Sequence, residues 1–269
     1  MLILTNSLGY GGAERVISLI YPKLSEKYNM HLALLVKNET INPVDGNIIL
    51  LGKEEKSSKV GYIFDLAYKI YALRRFVEEQ EIDVVLSFLP VPDLLNIIFC
   101  KKAKRIISVR GQVENGKNKN ISSLIKYYLR KKLYRKADGA IVVSESLRDS
   151  LIRKYSFSEK KIRVIYNPFI IDEMYKKSEE KLDEKLEEIF INNKVIVSVG
   201  RVVESKGFQY LIKAFERAFS EDDKIKLVIV GEGEYLEYLN KYVIDHDLEK
   251  RVLLVGGKKN PYNYLKRAT

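Results

Sequence analysis

From end to end, short apolar runs rich in β-branched residues alternate with longer segments of helical periodicity, an arrangement that few folds accommodate. The runs are Leu2 to Thr5, Leu32 to Val36, Val84 to Phe88, Arg105 to Val109, Gly139 to Val143, Val195 to Val199, Leu227 to Val230 and Val252 to Val255. Their hydrophobicity is continuous rather than alternating, which marks strands buried on both faces, and helices between them imply parallel pairing. The expected class is α/β, doubly wound. At 269 residues the chain can build one large domain or two modest ones.

The alternation breaks at the turn signal Asn167-Pro168, after which Ile171 to Asn193 is charged and helical without a strand. We therefore expect a first α/β domain over residues 1–168, a charged linker or helix over 169–193, and a second domain over 194–269. That second domain offers three strands and the start of a helix from Asn260. A doubly wound half normally carries more strands, so it is expected to be incomplete, loosened and prone to aggregate. Glu114 to Asn120 reads as a mobile polar loop.

Charge narrows the partners. With 47 Lys and Arg against 36 Asp and Glu, the formal charge of +11 favours phosphates, nucleic acid or an anionic membrane. Lys126, Arg130, Lys131, Lys132, Arg135 and Lys136 are interleaved with Leu124, Ile125, Tyr128, Leu129 and Leu133 at helical spacing. This basic amphipathic helix suits either a solvated outer face or contact with an anionic bilayer. No apolar run approaches the roughly 20 residues needed to cross a bilayer. The opening MLILTNSL has neither the basic leader nor the cleavage site of an export signal. A cytoplasmic protein, at most peripheral on the inner membrane face, is expected. The single cysteine, Cys100, rules out an intramolecular disulfide and reads as core filling.

Two glycine-bearing turns carry the candidate chemistry. Gly9-Tyr10-Gly11-Gly12-Ala13-Glu14-Arg15 follows the first run and leads into a helix containing Val16, Leu19 and Ile20. Glycines at such a turn admit a ligand to the backbone, and exposed amides at the helix start attract anions. A dinucleotide fingerprint would place a third glycine where Glu14 stands. Further on, Gly200-Arg201-Val202-Val203-Glu204-Ser205-Lys206-Gly207 closes the run KVIVSV and opens the helix Phe208 to Phe219. Two cations at the carboxyl edge of a parallel sheet fit a diphosphate. Arg201 would grip it through paired N–H bonds, and Lys206 would act as a point charge.

Taken together, the chain resembles the retaining glycosyltransferases of family 4. The resemblance rests on Gly11-Gly12-Ala13-Glu14-Arg15, Ala137 to Ser146, Val164-Ile165-Tyr166-Asn167-Pro168, Gly200-Arg201 with Lys206-Gly207, Leu227 to Glu232, and Val252 to Gly256, in family order. It implies a GT-B fold, with two Rossmann-like domains facing a cleft that holds a nucleotide sugar. By the same resemblance, Gly11 and Gly12 lie near the donor phosphates, Arg201 and Lys206 hold the diphosphate, and backbone at Val255 and Gly256 meets the base. The implied reaction moves a sugar from a nucleoside diphosphate donor, a UDP-sugar, to a glycan or lipid-linked acceptor with retention. Its setting would be the synthesis of polysaccharide, lipopolysaccharide or other surface glycoconjugates. No metal or other cofactor is implied.

Two departures from the family pattern stand out. Many members carry a catalytic-site histidine where ISVRGQ offers Arg110, which is therefore the catalytic-site candidate; it would bind acceptor or donor oxygens, but it stays protonated and so cannot be a general base. His31 and His246 lie elsewhere and read as ordinary surface or structural residues. The family's paired glutamates would follow Thr269, so a chain of this length is expected to transfer little. The alternative expectation is an inactive remnant that binds nucleotide sugar or membrane. An NAD-dependent dehydrogenase would leave Arg201 and Lys206 unexplained, and a nucleic-acid binder lacks any helix-turn-helix, zinc or RNA-binding signature.

Overall fold

The computed structural model describes residues 1–269 apart from 10, 37–43, 53–58, 112, 114–120 and 221. The polar stretch Glu114 to Asn120 thus lies outside the described residues. The chain divides into two compact units, Met1–Pro168 and Phe169–Thr269.

In the first unit the strands are β1 (Leu2–Thr5), β2 (His31–Leu34), β3 (Ile48–Leu50), β4 (Val84–Phe88), β5 (Lys104–Val109), β6 (Gly139–Val142) and β7 (Ile162–Val164). They pair in parallel in the order β3-β2-β1-β4-β5-β6-β7, a doubly wound sheet. The connecting helices are α1 (Gly12–Ser25), α2 (Lys59–Glu79), α3 (Pro90–Phe99), α4 (Ile121–Tyr134) and α5 (Glu145–Tyr155). Period-two geometry explains why the runs are apolar throughout. Leu2 and Leu4 pack with Leu73 and Val77 of α2, whereas Ile3 between them packs with Val16 and Ile17 of α1 on the other face. Cys100 is buried beside Leu95 and Ala103, and burial pushes its thiol up to about 12. It is core, as the sequence suggests.

The second unit holds α6 (Ile171–Ser178), α7 (Glu184–Asn192), β8 (Lys194–Val199), α8 (Phe208–Ala218), β9 (Ile225–Val230), α9 (Leu236–Asp245), β10 (Val252–Leu254) and α10 (Tyr262–Arg267). Its sheet is parallel in the order β10-β9-β8. The segment 169–193, expected as a charged linker or helix, forms α6 and α7 and folds into this unit. Leu186 of α7 is buried with Val195, Val228 and Tyr264, Arg267 pairs with Glu187, and Asn260 donates to the Lys177 carbonyl. At the free edge of β8, Thr269 donates its backbone N–H to the Val195 carbonyl and accepts from the Val195 N–H at its hydroxyl.

A buried polar cluster ties α3 to the first sheet. Asp93 is 1% exposed and accepts from the Ser87 hydroxyl at 2.7 Å and the Tyr134 hydroxyl at 2.8 Å. Asn96 donates to the Val85 and Ile106 carbonyls and to Ser87. Burial pushes the Asp93 carboxyl up to about 7 despite those donors and the nearby Arg130. Between its unfolded value of about 4 and 7, Asp93 keeps its proton in the folded chain and loses it in the unfolded one. Stability is therefore fullest below that window, falls by up to about 1.4 kcal/mol per pH unit across it, and is flat above it. Urea unfolding of wild type and Asp93→Asn should diverge in slope between about pH 4 and pH 7, the wild type weakening more. Parallel curves would mean that Asp93 is ionised in the folded state.

Candidate functional site

Open parallel sheets bind ligands beyond the carboxyl ends of their strands, and each unit presents one such edge. In the second unit the edge is built from the loops after β8, β9 and β10. These loops bond to one another: Gly200 N–H to the Val230 carbonyl at 3.0 Å, Val202 N–H to the Glu232 carbonyl at 2.7 Å, and Gly231 N–H to the Gly256 carbonyl at 2.9 Å. A Cβ on Gly231 would overlap the Gly200 carbonyl oxygen, and one on Gly233 would overlap the Val202 carbonyl oxygen. Glycine is needed at both because the loops touch backbone to backbone.

That contact fixes Arg201 between Gly200 and the fully buried Val202. The chain then makes a 3-10 turn over Glu204–Lys206 and reaches α8 through Gly207 at φ 74, a left-handed conformation suited to glycine. Arg201 and Lys206 are both exposed, and neither meets a carboxylate among the described residues. The N-terminus of α8 has no side-chain cap. Two unpaired cations beside uncapped amides leave this edge electropositive. Val255 and Gly256 lie on the same edge, and the space a Cβ would fill at Gly256 is open.

In the first unit the turn after β1 places Gly11 at the N-cap of α1. Nothing lies within 4 Å of where a Cβ on Gly12 would stand, whereas the carboxylate of Glu14 folds back over Gly11. In the sequence Glu14 reads as a missing glycine and as part of the family motif. Its spacing, three residues after the cap, is that of a carboxylate returning to its own helix start.

Arg110 stands at the end of β5. Its Nε donates to Ser108 Oγ at 3.0 Å, its Nη1 donates to Asn167 Oδ1 at 2.7 Å, and its guanidinium lies 4.8 Å from the centre of the Phe88 ring. Burial lowers its pKa to about 10, which leaves it cationic at neutral pH. Its partners Phe88, Ser108 and Asn167 come from β4, β5 and the segment after β7, and no local pattern announces them. His31 is buried at the start of β2 against Phe76, and His246 ends α9, so neither histidine stands at the carboxyl edge.

The basic helix needs a correction. Arg130 does not join an outward cationic face: it is half-buried, and its charge acts on Asp93 and Tyr134. Lys131 is also half-buried, and Arg135 and Lys136 follow the end of α4. Tyr127 and Tyr134 supply the inward face by stacking edgewise on Tyr155. Leu124, Ile125, Tyr128 and Leu129 are left exposed beside Lys126, Lys132, Arg135 and Lys136. No helix among the described residues is long and apolar enough to cross a membrane.

Residues 10–173 match the sequence family described as Glycosyltransferase Family 4, and residues 179–269 match Glycosyl transferases group 1. The chain belongs to glycosyltransferase family 4. Among curated relatives, this glycosyltransferase is 31% identical over 265 residues to the N-acetylgalactosamine-N,N'-diacetylbacillosaminyl-diphospho-undecaprenol 4-alpha-N-acetylgalactosaminyltransferase of Campylobacter jejuni. The match covers 96% of this chain and 70% of the relative. It is 32% identical over 134 residues to the capsular polysaccharide biosynthesis glycosyltransferase CapM of Staphylococcus aureus, covering 48% of this chain and 35% of that one. Among solved structures, HepE of Anabaena in complex with UDP-glucose superposes with a TM-score of 0.77 at 17% identity, over 100% of this chain and 72% of that one. At that identity the likeness speaks for the fold, which is GT-B.

Proposed function

We propose that this glycosyltransferase transfers a sugar from a UDP-sugar to a lipid-linked glycan acceptor, with retention at the anomeric carbon, in the synthesis of a cell-surface polysaccharide or glycoconjugate. The observation that carries the reading is the unpaired Arg201 and Lys206 pair at the carboxyl edge of β8. As the sugar leaves, charge gathers on the nucleoside diphosphate. A guanidinium and an ammonium already in place offset it, with no reorganisation at the moment of reaction. Gly256 leaves open backbone nearby for the base, and Gly12 leaves open backbone at the start of α1. The Campylobacter relative, whose name specifies a diphospho-undecaprenol-linked acceptor, and the UDP-glucose complex of HepE support the choice of acceptor and donor. In calorimetry UDP should bind and NAD should not. NAD binding without UDP binding would return the chain to the dehydrogenase reading.

The exposed face of α4 suits a lipid-linked acceptor. Leu124, Ile125, Tyr128 and Leu129 can enter the headgroup region while Lys126, Lys132, Arg135 and Lys136 meet anionic lipid, each cation contributing about 1 kcal/mol near the surface. Sedimentation with anionic vesicles should weaken steeply as salt rises and should be slight with neutral ones. Ile125→Asp with Tyr128→Asp should abolish it while leaving UDP binding intact. Unchanged sedimentation would make this face a solvated one.

A further inference from the structure

We infer that Arg110 is the residue that holds a phosphate group carried by the acceptor. This rests on the reading of the chain as a sugar transferase, and it follows from how Arg110 differs from the other enclosed arginines. Arg105, in the same strand, is matched in charge: Asp138 receives its Nε and Nη2, and the Ile97 carbonyl takes its Nη1. Arg251, in the second unit, closes the end of α8 by donating to the carbonyls of Phe219 and Ser220. Arg105 is used up by the fold, and Arg251, whose Nε has no hydrogen-bond partner among the described residues, has the Asp223 carboxylate 4.0 Å from that nitrogen. Arg110 is held by a hydroxyl, an amide oxygen and an aromatic face, all of them neutral.

These neutral contacts orient the guanidinium without cancelling its charge. Of its five N–H donors, two are engaged and the others have no partner among the described residues. Arg110 is partly buried with no carboxylate against it among the described residues, and a cation so placed at the ligand edge of the sheet favours an anion supplied from outside. The free donors lie on the guanidinium fork, whose geometry matches the oxygens of a phosphate.

The rest of this edge directs the anion to Arg110. In the sheet only β4 separates the end of β1 from the end of β5, so the α1 N-terminus is the competing positive site. The carboxylate of Glu14 already lies over Gly11 there. It takes up part of the helix-end potential and so leaves that site a weaker hold on a second anion than Arg110 offers. The donor's diphosphate has its own two cations in Arg201 and Lys206. The phosphate left for Arg110 is the acceptor's.

Farnesyl diphosphate, inorganic diphosphate and UDP, each titrated by calorimetry into wild type, Arg110→Gln and Arg110→Lys, form the test. Wild type should bind farnesyl diphosphate more tightly than inorganic diphosphate. Arg110→Gln should lose at least about tenfold in farnesyl diphosphate affinity, and Arg110→Lys should recover part of it. UDP affinity and melting temperature should stay at the wild-type level in both variants, which a merely structural role in tethering Asn167 would not allow. Undiminished farnesyl diphosphate binding by Arg110→Gln would overturn the assignment. So would a parallel loss of UDP, which would place Arg110 in the donor site, or equal wild-type affinity for the two diphosphate probes, which would assign it to a free anion. A wild type that binds farnesyl diphosphate but not UDP would leave Arg110 in place and remove the transferase reading instead.

Discussion

Replacing Arg201 and Lys206 together with alanine is expected to weaken UDP binding about a hundredfold or more while leaving the melting temperature within about two degrees of wild type. Hydrogen bonds to charged groups contribute about 1.5–3 kcal/mol each, and every 1.4 kcal/mol is tenfold in affinity. Both side chains are exposed, and neither pairs with a carboxylate among the described residues, so folding loses little when they go. Removing two like charges beside the uncapped start of α8 relieves repulsion with the helix dipole, a small gain for the variant. Calorimetry for UDP and a thermal melt separate the two effects. Equal UDP affinity in wild type and variant would take these residues out of the site.

Gly231→Ala is expected to reach the same site through the backbone and to lower stability as well. The new methyl group would overlap the carbonyl oxygen of Gly200, in the contact that holds the β8 and β9 loops together and sets the position of Arg201. Relief requires the loops to separate, at the expense of the Gly200–Val230 and Gly231–Gly256 hydrogen bonds. Overpacking of this kind costs about 1–3 kcal/mol. The second unit should melt several degrees lower, and UDP binding should fall at least about tenfold even where the chain is folded, because the loop that carries both cations shifts relative to the β9 and β10 loops. A variant with wild-type melting and wild-type UDP affinity would mean that the contact between the two loops is dispensable.

The strands are legible in the sequence wherever both faces are buried. Leu2–Thr5, Val84–Phe88 and Leu227 to Val230 are apolar runs because helices cover the sheets on each side. The strands that escape a reading of the sequence are short and lie at sheet edges. Ile48–Leu50 is a mostly exposed edge strand whose apolar run, Ile48 to Leu51, is only four residues long, and Ile162–Val164 is interrupted by Arg163. The turn Gly200 to Gly207 is legible because its residues are contiguous. What surrounds Arg110 is not, since Phe88, Ser108 and Asn167 meet only once β4, β5 and β7 are arranged in the sheet. The same holds for Arg130. Helical spacing places it among the outward cations, but Asp93, from the preceding helix α3, draws it inward.

Sugar transfer itself is the most direct test. The protein would be incubated with UDP-sugars and a lipid diphosphate-linked acceptor, UDP release followed against transferred sugar, and the anomeric configuration of the product read by NMR. However little sugar is transferred, the expected result is one UDP released for each sugar, dependent on acceptor, with the donor's anomeric configuration kept and turnover abolished by the Arg201 and Lys206 double variant. An inverted anomer, or transfer undiminished in the double variant, would contradict the assignment of this sheet edge as the donor site of a retaining glycosyltransferase.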